Sequence, residues 1–215
     1  MAGLNLGSQP CRCTQPYHST RLVAVTGGPG GGKTAVLGIA LRTFCSHVAV
    51  LPEAASMVFG GGFPRVEAQP ARRAAQRAIF YVQRELERLA LAETGLALAL
   101  CDRGTVDGLA YWPGDPDAYW RELGTTMEAE LGRYHAVIHL EPPGDDEGYN
   151  HQNAVRIETA SEAHAIDQRI QAAWQAHPRR HVVGRRADFL EKAFEALRLI
   201  REEVPTCCFP HGKAS

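Results

Sequence analysis

The amino-acid sequence predicts an α/β fold in which a parallel sheet is covered by helices on both faces. Five short apolar runs alternate with segments whose apolar residues recur at helical spacing, and this alternation is typical of parallel sheets. A cluster of glycines follows the first run and leads into the first helical segment. The 215 residues, of which 45% are hydrophobic and 22% charged, suit one globular domain.

The expected strands and helices follow one another along the chain. The apolar runs that we interpret as strands begin at Arg21, His47, Leu96, Tyr134 and His181. Helical periodicity covers Lys33 to Phe44, residues 70–94, Ile166 to Trp174, and Asp188 to Glu203. We therefore expect a flexible N-terminal arm over residues 1–20, a single domain over residues 21–203 and a C-terminal tail over residues 204–215.

Composition and charge argue against several classes of partner. The 23 lysines and arginines nearly balance the 24 acidic residues, and a formal net charge of −1 gives no electrostatic reason to expect a nucleic-acid or membrane partner. No apolar run approaches the roughly 18 residues of a membrane span, and residues 1–20 lack the apolar core of a secretory signal. We expect a cytoplasmic location, while the oligomeric state stays open.

Six cysteines in a chain expected to be cytoplasmic are more typical of thiols than of disulfides. Cys45 and Cys101 lie in apolar segments, whereas the tails carry Cys11, Cys13, Cys207 and Cys208. Four tail thiols could bind zinc, but their C-x-C and C-C spacings differ from the usual C-x2-C of zinc knuckles. The sequence therefore favours thiols without a metal.

The glycine cluster matches the phosphate-binding pattern G-x-x-x-x-G-K-[ST] between a strand and a helix. Its residues are Gly27, Gly28, Pro29, Gly30, Gly31, Gly32, Lys33 and Thr34. Glycines let backbone N–H groups converge on phosphate oxygens, and the helix N-terminus adds further donors. Lys33 is expected to reach the β and γ phosphates, and the Thr34 hydroxyl to ligate Mg²⁺. The predicted ligand is therefore a nucleoside triphosphate, with ATP and Mg²⁺ as the expected cofactors.

Charged residues follow the predicted strands, at the sheet edge where α/β folds bind their ligands. Asp102 ends the third run, where P-loop proteins place the acid that holds Mg²⁺. Arg103 comes next and is positioned to stabilise a phosphoryl group as that group gains charge. Glu53 follows the second run and is the candidate general base; a helix-capping or solvent-facing role is an equal alternative.

Several segments together resemble one known family. GGPGGGKT, then PEAAS from Pro52, DRGTVDGLAY from Asp102, NAVRIE from Asn153 and IDQRIQAAW ending at Trp174 look like the small P-loop ATPases of the AAA_28 type. That family includes a bacterial ribosylnicotinamide kinase domain and an insect trafficking ATP/GTPase, and it resembles nucleoside and nucleotide kinases more distantly. The resemblance implies a three-layer P-loop NTPase fold with a five-stranded parallel sheet in the order 2-3-1-4-5. Family members often carry an arginine shortly after the glutamate, where this chain has Ser56.

Nucleotide kinases close a lid over the phosphates, and residues 142–175 occupy the corresponding place here. Within this expected lid, Arg156 is the residue that we expect to reach the phosphates, with Arg169 as a second candidate. Gln76 and Gln83 lie seven residues apart on the long helix and could read a base edge. Two surface glutamines are the favoured interpretation of this pair, because exposed glutamine is ordinary.

These observations predict an ATP-dependent kinase that moves the γ-phosphoryl group to a small nucleoside-like or other hydroxyl acceptor. The predicted catalytic residues are Lys33, Glu53, Asp102, Arg103 and Arg156, with Thr34 and Asp102 at the metal. A nucleotide-dependent ATPase or switch without a small acceptor is the alternative. The sequence contains no N/T-K-x-D guanine-reading motif, and it is too short for the lid subdomain of an oligomeric AAA motor.

Overall fold

A computed structural model describes residues 3–143, 160–186 and 188–208. The strands are β1 (Asn5–Leu6), β2 (Arg21–Thr26), β3 (Val48–Leu51), β4 (Leu98–Asp102), β5 (Ala136–Leu140) and β6 (Arg180–Val183). The α-helices are α1 (Lys33–Thr43), α2 (Ala54–Gly60), α3 (Gln69–Ala92), α4 (Gly108–Tyr111), α5 (Pro116–Leu123), α6 (Met127–Leu131), α7 (Ala160–Ala173) and α8 (Phe189–Glu203). Short 3-10 helices lie at Thr105–Asp107 and Thr206–Cys208. None of these helices is both long enough and apolar enough to cross a membrane.

One sheet forms the centre of the described part of the chain, with its strands in the order β1-β3-β4-β2-β5-β6. Strands β2 to β6 all run parallel to one another. Strand β1 lies at the edge of the sheet and pairs antiparallel with β3. The expected five-stranded, all-parallel sheet is therefore corrected to a mixed sheet of six strands. Among the parallel strands alone, the neighbours are those of the order 2-3-1-4-5.

The additional strand belongs to residues 1–20, which the sequence predicts to be a flexible arm. Leu4 and Leu6 pack against the core, and the N–H group of Gly7 donates to the carbonyl oxygen of Val48 at 2.8 Å. The arm thus lies along the edge of the sheet beside β3. A strand of two residues is too short to leave a recognisable alternation of apolar side chains, which explains why the sequence does not predict it.

Alternate residues of the central strands face opposite layers of helices, as the pleat of a strand requires. Val23 of β2 lies in one buried cluster with Val36 of α1 and Ile200 of α8. Its neighbour Ala24 lies in a second buried cluster with Ile170 of α7. Strands β4 and β5 are buried along their whole length, because helices cover both of their faces. The arrangement of three layers agrees with the prediction.

The predicted lid, residues 142–175, falls only partly within the described residues. Residues 144–159, which include Arg156, lie outside them. The later part of the segment forms α7, whose Ile166 and Ile170 are buried together with the following Trp174. This helix therefore belongs to the core, as its helical spacing predicts.

The turn after β4 leaves no room for a side chain at Gly104. A Cβ atom there would lie 2.7 Å from Cζ2 of Trp174 and 3.0 Å from Cζ of Tyr134, and both rings are buried. We expect Gly104→Ala to lower the free energy of unfolding by about 1–3 kcal/mol, because overfilled cores force their side chains out of place. Thermal denaturation should then show a melting temperature lower by about 2–4 °C for each kcal/mol lost.

Gly60→Ala is the matched control for this prediction. A Cβ atom at Gly60, the last residue of α2, meets no other atom within 4 Å. Alanine is also a better helix former than glycine, so this variant should melt at the wild-type temperature or slightly above it. Equal melting temperatures for the two variants would contradict the steric account of Gly104.

Candidate functional site at the carboxyl ends of the strands

The phosphate loop joins β2 to α1 and depends on glycines for its shape. Gly27, Gly30 and Gly32 have positive φ angles of 130°, 86° and 88°. A Cβ atom on Gly27 would lie 2.1 Å from the carbonyl oxygen of Leu140, and one on Gly31 would lie 2.5 Å from the same oxygen. The loop therefore packs directly against the end of β5, and only glycine permits that contact.

The N-terminus of α1 offers uncapped donors to an anion. The helix follows Gly32, which makes no side-chain capping hydrogen bond, and its first turn contains no acidic residue. The N–H groups of this turn and the positive end of the helix dipole are therefore suited to phosphate. Thr34 is exposed on this turn, and Pro29 is half-buried in the loop.

Lys33 is buried beneath the loop that it closes. Its Nζ donates to the carbonyl oxygens of Gly27 at 2.8 Å and of Gly28 at 2.9 Å. Burial, reinforced by the positive charge of Arg103, lowers the pKa of Lys33 from 10.5 to about 7. Phosphate oxygens beside Nζ would favour the charged ammonium, so this lysine is suited to a polyanionic ligand.

Asp102 ends β4 with a carboxylate that is almost completely buried. Its Oδ1 has no hydrogen-bond partner among the described residues. Burial raises the pKa of Asp102 to about 6, although the charge of Lys33 acts in the opposite direction. A buried carboxylate oxygen without a partner, on the strand beside β2, fits a divalent cation held directly or through water. Asp102 and the exposed hydroxyl of Thr34 are the residues that would hold Mg²⁺.

Arg103 has a φ of 72°. No other non-glycine residue in the described part of the chain has a positive φ. Its Nε donates to Oε1 of Glu53 at 2.7 Å, and its Nη1 donates to the carbonyl oxygen of Gly27 at 3.2 Å. The guanidinium also lies 5.6 Å from the ring centre of Tyr111 and 3.6 Å from Oδ1 of Asp107. Such backbone strain is typical of functional sites, and here it accompanies an arginine that contacts the phosphate loop.

Glu53 follows β3 and precedes α2, and both of its carboxylate oxygens accept hydrogen bonds. Arg103 donates to Oε1, and the hydroxyl of Ser56 donates to Oε2 at 2.5 Å. Burial alone would raise the pKa of Glu53, but the charge of Arg103 and these hydrogen bonds outweigh it, so the pKa is lowered. Its side chain makes no capping hydrogen bond to α2, so the capping alternative is not observed.

The phosphate loop is also held from the other side, by residues that the sequence does not single out. The N–H group of Gly28 donates to Oδ1 of Asp167 at 2.6 Å, and Nε2 of His139 lies 2.9 Å from the same oxygen. His139 and Asp167 are buried, on β5 and α7 respectively. The local sequence signal that could point to Asp167 is its position next to Ile166, which belongs to the apolar stripe of this helix. The pair positions the loop against the sheet.

The structure brings Lys33, Glu53, Asp102 and Arg103 to one sheet edge, with Thr34 on the adjoining helical turn. Other candidates have different surroundings. Arg169, the second lid candidate, donates to the carbonyl oxygen of Ala110 at 2.8 Å and thereby joins α7 to α4. Arg156 lies outside the described residues.

The interpretation of Gln76 and Gln83 as surface residues is wrong for Gln83. It is buried, and its Nε2 donates to Oε1 of Glu87 at 2.8 Å. Glu87 also accepts from the hydroxyl of Tyr134 at 2.6 Å and pairs with Arg133. Gln83 therefore belongs to a buried polar network beneath α3, because a buried amide must find a partner.

Comparisons with known proteins identify a family and solved structures of similar fold. The family AAA_28, described as an AAA domain, matches residues 22–192. No curated protein matches the sequence.

Solved structures of similar fold share little sequence with the chain. A crystal structure of NadR protein in complex with NR has a TM-score of 0.64 at 15% identity, covering 91% of this chain and 55% of that one. NadR protein in complex with NAD and AMP-PNP has a TM-score of 0.61 at 13% identity, covering 92% and 52%. Thymidylate kinase from Candida albicans has a TM-score of 0.54 at 12% identity, covering 86% and 93%. The chain thus spans about half the length of the NadR chains, and these similarities establish the fold.

The hydrogen bonds to Asp167 predict a pH-dependent contribution to stability. Burial would raise the pKa of Asp167, but the hydrogen bonds from His139 and Gly28 outweigh it, so the pKa is lowered. A lowered carboxyl pKa means that the folded state binds fewer protons, so the stabilisation is present at neutral pH and is lost as the pH falls through the folded-state pKa. Asp167→Asn should lower the free energy of unfolding at pH 7 by about 1.5–3 kcal/mol, the range for hydrogen bonds to charged groups.

Urea denaturation at a series of pH values measures this contribution. The difference between wild type and Asp167→Asn should shrink as the pH falls below about 4, the ordinary carboxyl range. Asp117→Asn is the control, because Asp117 is exposed on α5. A difference that stays constant from pH 7 to below pH 4 would show that the charge of Asp167 is not what holds the loop.

Proposed function

The chain belongs to the AAA domain family AAA_28, and from this membership we propose that it is an ATP-dependent kinase that phosphorylates a hydroxyl group of a small, nucleoside-like acceptor. The observation that carries the proposal is the Glu53–Arg103 pair at the rim of the phosphate loop. It places a carboxylate and a guanidinium together, beside the loop that would present a γ-phosphate. Each of these groups has a distinct role in phosphoryl transfer.

The proposed nucleotide site uses the loop, the first turn of α1 and Lys33. The backbone N–H groups of Gly30, Gly32 and Lys33 would surround the phosphates. The other positions of the loop contribute less, because Gly28 donates to Asp167, Gly31 donates to the carbonyl oxygen of Gly28, and Pro29 has no N–H group. Lys33 would exchange its two carbonyl partners for phosphate oxygens. When bound, Mg²⁺ supplies charge neutralisation at the β and γ phosphates, and Thr34 and Asp102 would hold it.

The proposed transfer forms one bond and breaks another. The acceptor hydroxyl oxygen bonds to the γ-phosphorus, while the bond from that phosphorus to the β–γ bridging oxygen breaks and ADP leaves. Glu53 accepts the hydroxyl proton as the new bond forms. Arg103 stabilises the charge that develops on the γ-phosphoryl oxygens. The phosphorylated acceptor and ADP are the products.

The pairing of Glu53 also defines how strong a base it can be. Its lowered pKa keeps it ionised at neutral pH, so it is able to accept a hydrogen bond from the acceptor hydroxyl before it takes the proton. Such a weak base suits phosphoryl transfer, in which the transition state is loose and bond making to the nucleophile lags behind bond breaking. Positioning of the hydroxyl adds to proton transfer in the proposed role of Glu53.

One observation favours the alternative function, an ATPase or switch without a small acceptor. Both oxygens of Glu53 already accept hydrogen bonds, from Arg103 and from Ser56. If these two hydrogen bonds persist when nucleotide binds, Glu53 has a structural role and does not act as the general base. Water would then attack the γ-phosphate in place of an acceptor hydroxyl. The two functions differ in whether ADP release depends on an added acceptor.

A substitution at Glu53 tests the base assignment. Glu53→Gln keeps the shape of the side chain but cannot accept the proton, so kcat should fall by about 10²–10⁴-fold, the usual range for general-base assistance. The affinity for ATP should change little, because this group acts on the acceptor. Single-turnover measurements together with calorimetric ATP titrations separate the two effects.

Glu85→Gln is the control for this variant, because Glu85 lies exposed on α3 and pairs only with its helix neighbour Arg88 among the contacts of the described residues. It should keep wild-type kinetics. Turnover of Glu53→Gln within about threefold of wild type, far short of the general-base range, would make Glu53 a structural residue.

An acceptor screen tests the proposed function itself. ADP release is measured with ATP and Mg²⁺ in the presence of nucleosides, nucleotides, nicotinamide riboside or water alone. We expect at least one hydroxyl acceptor to raise ADP release well above the rate in water and to appear as a phosphorylated product by mass spectrometry. ADP release at the same rate with and without every acceptor would support the ATPase instead.

A further inference from the structure

Cysteine and histidine side chains from distant parts of the chain meet beside the start of β3. They come from the N-terminal segment, from the connection between α1 and β3, and from the 3-10 helix Thr206–Cys208. The residues are Cys11, Cys13, His18, Cys45, His47, Cys207 and Cys208. The cysteines are free thiols, so sulfur and imidazole donors, the ligands that zinc prefers, are concentrated in one place.

Four of these side chains approach one another closely. The sulfur atoms of Cys13 and Cys208 each lie 3.6 Å from Nε2 of His18. Cys208 Sγ also lies 3.2 Å from Nδ1 of His47. The four ligand atoms all lie within 4.8 Å of one another. They therefore form one compact group.

Three of these separations match the length of a sulfur–nitrogen edge in a tetrahedron around zinc. Zn–S bonds of about 2.3 Å and Zn–N bonds of about 2.0–2.1 Å place the sulfur and nitrogen ligands of a tetrahedral site roughly 3.5 Å apart. The observed sulfur–nitrogen distances are 3.6, 3.6 and 3.2 Å. A thiol–imidazole hydrogen bond would explain one contact of this length. Here Nε2 of His18 contacts two sulfur atoms and Sγ of Cys208 contacts two imidazoles, which is typical of ligands arranged around one metal ion.

We infer that Cys13, His18, His47 and Cys208 form a structural zinc site. A Cys₂His₂ set supplies four protein ligands and leaves no open position, which is the composition of structural rather than catalytic zinc sites. The site would fasten the N-terminal segment and the C-terminal turn to the body of the domain. This inference does not depend on the proposed kinase function.

Two further cysteines, Cys11 and Cys45, form a second group with His47 and Cys208 whose ligand atoms also lie within 4.8 Å of one another. We assign the zinc to the first group because Nε2 of His18 contacts two of its sulfur atoms, whereas Cys45 is engaged with a backbone carbonyl.

Cys11 Sγ accepts a hydrogen bond from the backbone N–H of Cys13 at 3.4 Å and lies 3.6 Å from Nδ1 of His47. Cys45 Sγ donates to the carbonyl oxygen of Cys208 at 3.6 Å. The hydrogen bond from the Cys13 backbone to Cys11 and the one from Cys45 to the Cys208 backbone would support two ligands of the metal site. The contact between Cys11 and Nδ1 of His47 is not such a support, because Nδ1 is the atom that would bind zinc.

The proposed zinc lies at the amino ends of the parallel strands, whereas the phosphate loop lies at their carboxyl ends. His47 immediately precedes β3, whereas Glu53 follows its other end, and a strand of four residues spans roughly 13 Å. Because β3, β4 and β2 are parallel, the phosphate loop lies at the edge of Glu53. The zinc site would therefore stabilise the fold without contacting nucleotide.

The spacing rules that argue against zinc in the sequence do not cover this arrangement. They describe pairs of ligands supplied by one knuckle or turn, such as C-x2-C. Here Cys208 and His18 lie 190 residues apart in the chain and meet only because the sheet edge brings both tails together. The expectation of thiols without a metal is replaced by this proposal.

Metal analysis of the full chain tests the proposal. The protein is purified under reducing conditions, and its zinc is measured by plasma mass spectrometry before and after titration with Zn²⁺. We expect one tightly bound zinc per chain, and replacement by Co²⁺ should give the visible bands of a tetrahedral ion with thiolate charge transfer. Cys13→Ser and Cys208→Ser should each lose the bound metal, and chelation should lower the melting temperature of the wild type.

Cys101→Ala is the matched control, because Cys101 is a buried thiol on β4 outside the cluster, and it should keep one zinc per chain. A folded wild-type chain that binds no zinc on titration would overturn the proposal, as would a Co²⁺ spectrum that is not tetrahedral. Retention of zinc by Cys13→Ser together with its loss from Cys11→Ser would overturn the proposed ligand set. The wild-type measurements stand even where a cysteine variant fails to fold.

Discussion

Two cations are buried at the carboxyl edge of the sheet, and the carboxylates that balance them determine how this edge is built. Lys33 and Arg103 are largely removed from water, and a buried charge without a partner costs several kcal/mol. Arg103 is matched by Glu53, while Lys33 has two loop carbonyls and the field of Asp102. Because Glu53 follows β3, Asp102 ends β4 and Lys33 follows β2, this balance fixes three neighbouring strand ends relative to one another.

The loop between these strands is constrained from two directions. On one side, the guanidinium of Arg103 donates to the carbonyl oxygen of Gly27, and on the other, the N–H of Gly28 donates to Asp167. The loop thus spans from the β4 side of β2 to the β5 side, with each contact made by a buried or nearly buried group. Its shape is set before any ligand binds, which lowers the entropic cost of gathering N–H donors around a phosphate.

The part of this site that could be predicted from the sequence is the part encoded by neighbouring residues. The glycines, Lys33 and Asp102 stand in patterns of eight residues or fewer, and Glu53 follows from the rule that parallel strands end at one edge. Asp167 could not be found in that way, because its hydrogen bond to the loop joins residues 139 positions apart. For the same reason β1 escapes prediction, since two residues acquire their strand conformation only from pairing with β3.

The carboxyl and amino ends of the strands, which form two edges of the sheet, differ in how they affect stability. The carboxyl edge holds features that cost stability: the positive φ of Arg103, the Oδ1 of Asp102 that no described residue contacts by a hydrogen bond, and a buried lysine whose pKa is near neutral. Each of these features is suited to a polyanion or a cation, so the cost is tolerated where a ligand would repay it. The amino edge has no non-glycine residue with a positive φ among the described residues, and it gathers the N-terminal segment and the turn Thr206–Cys208 around His47. Stability gained at that edge can offset what the carboxyl edge gives up, because both act on the same strands, β3 and β4.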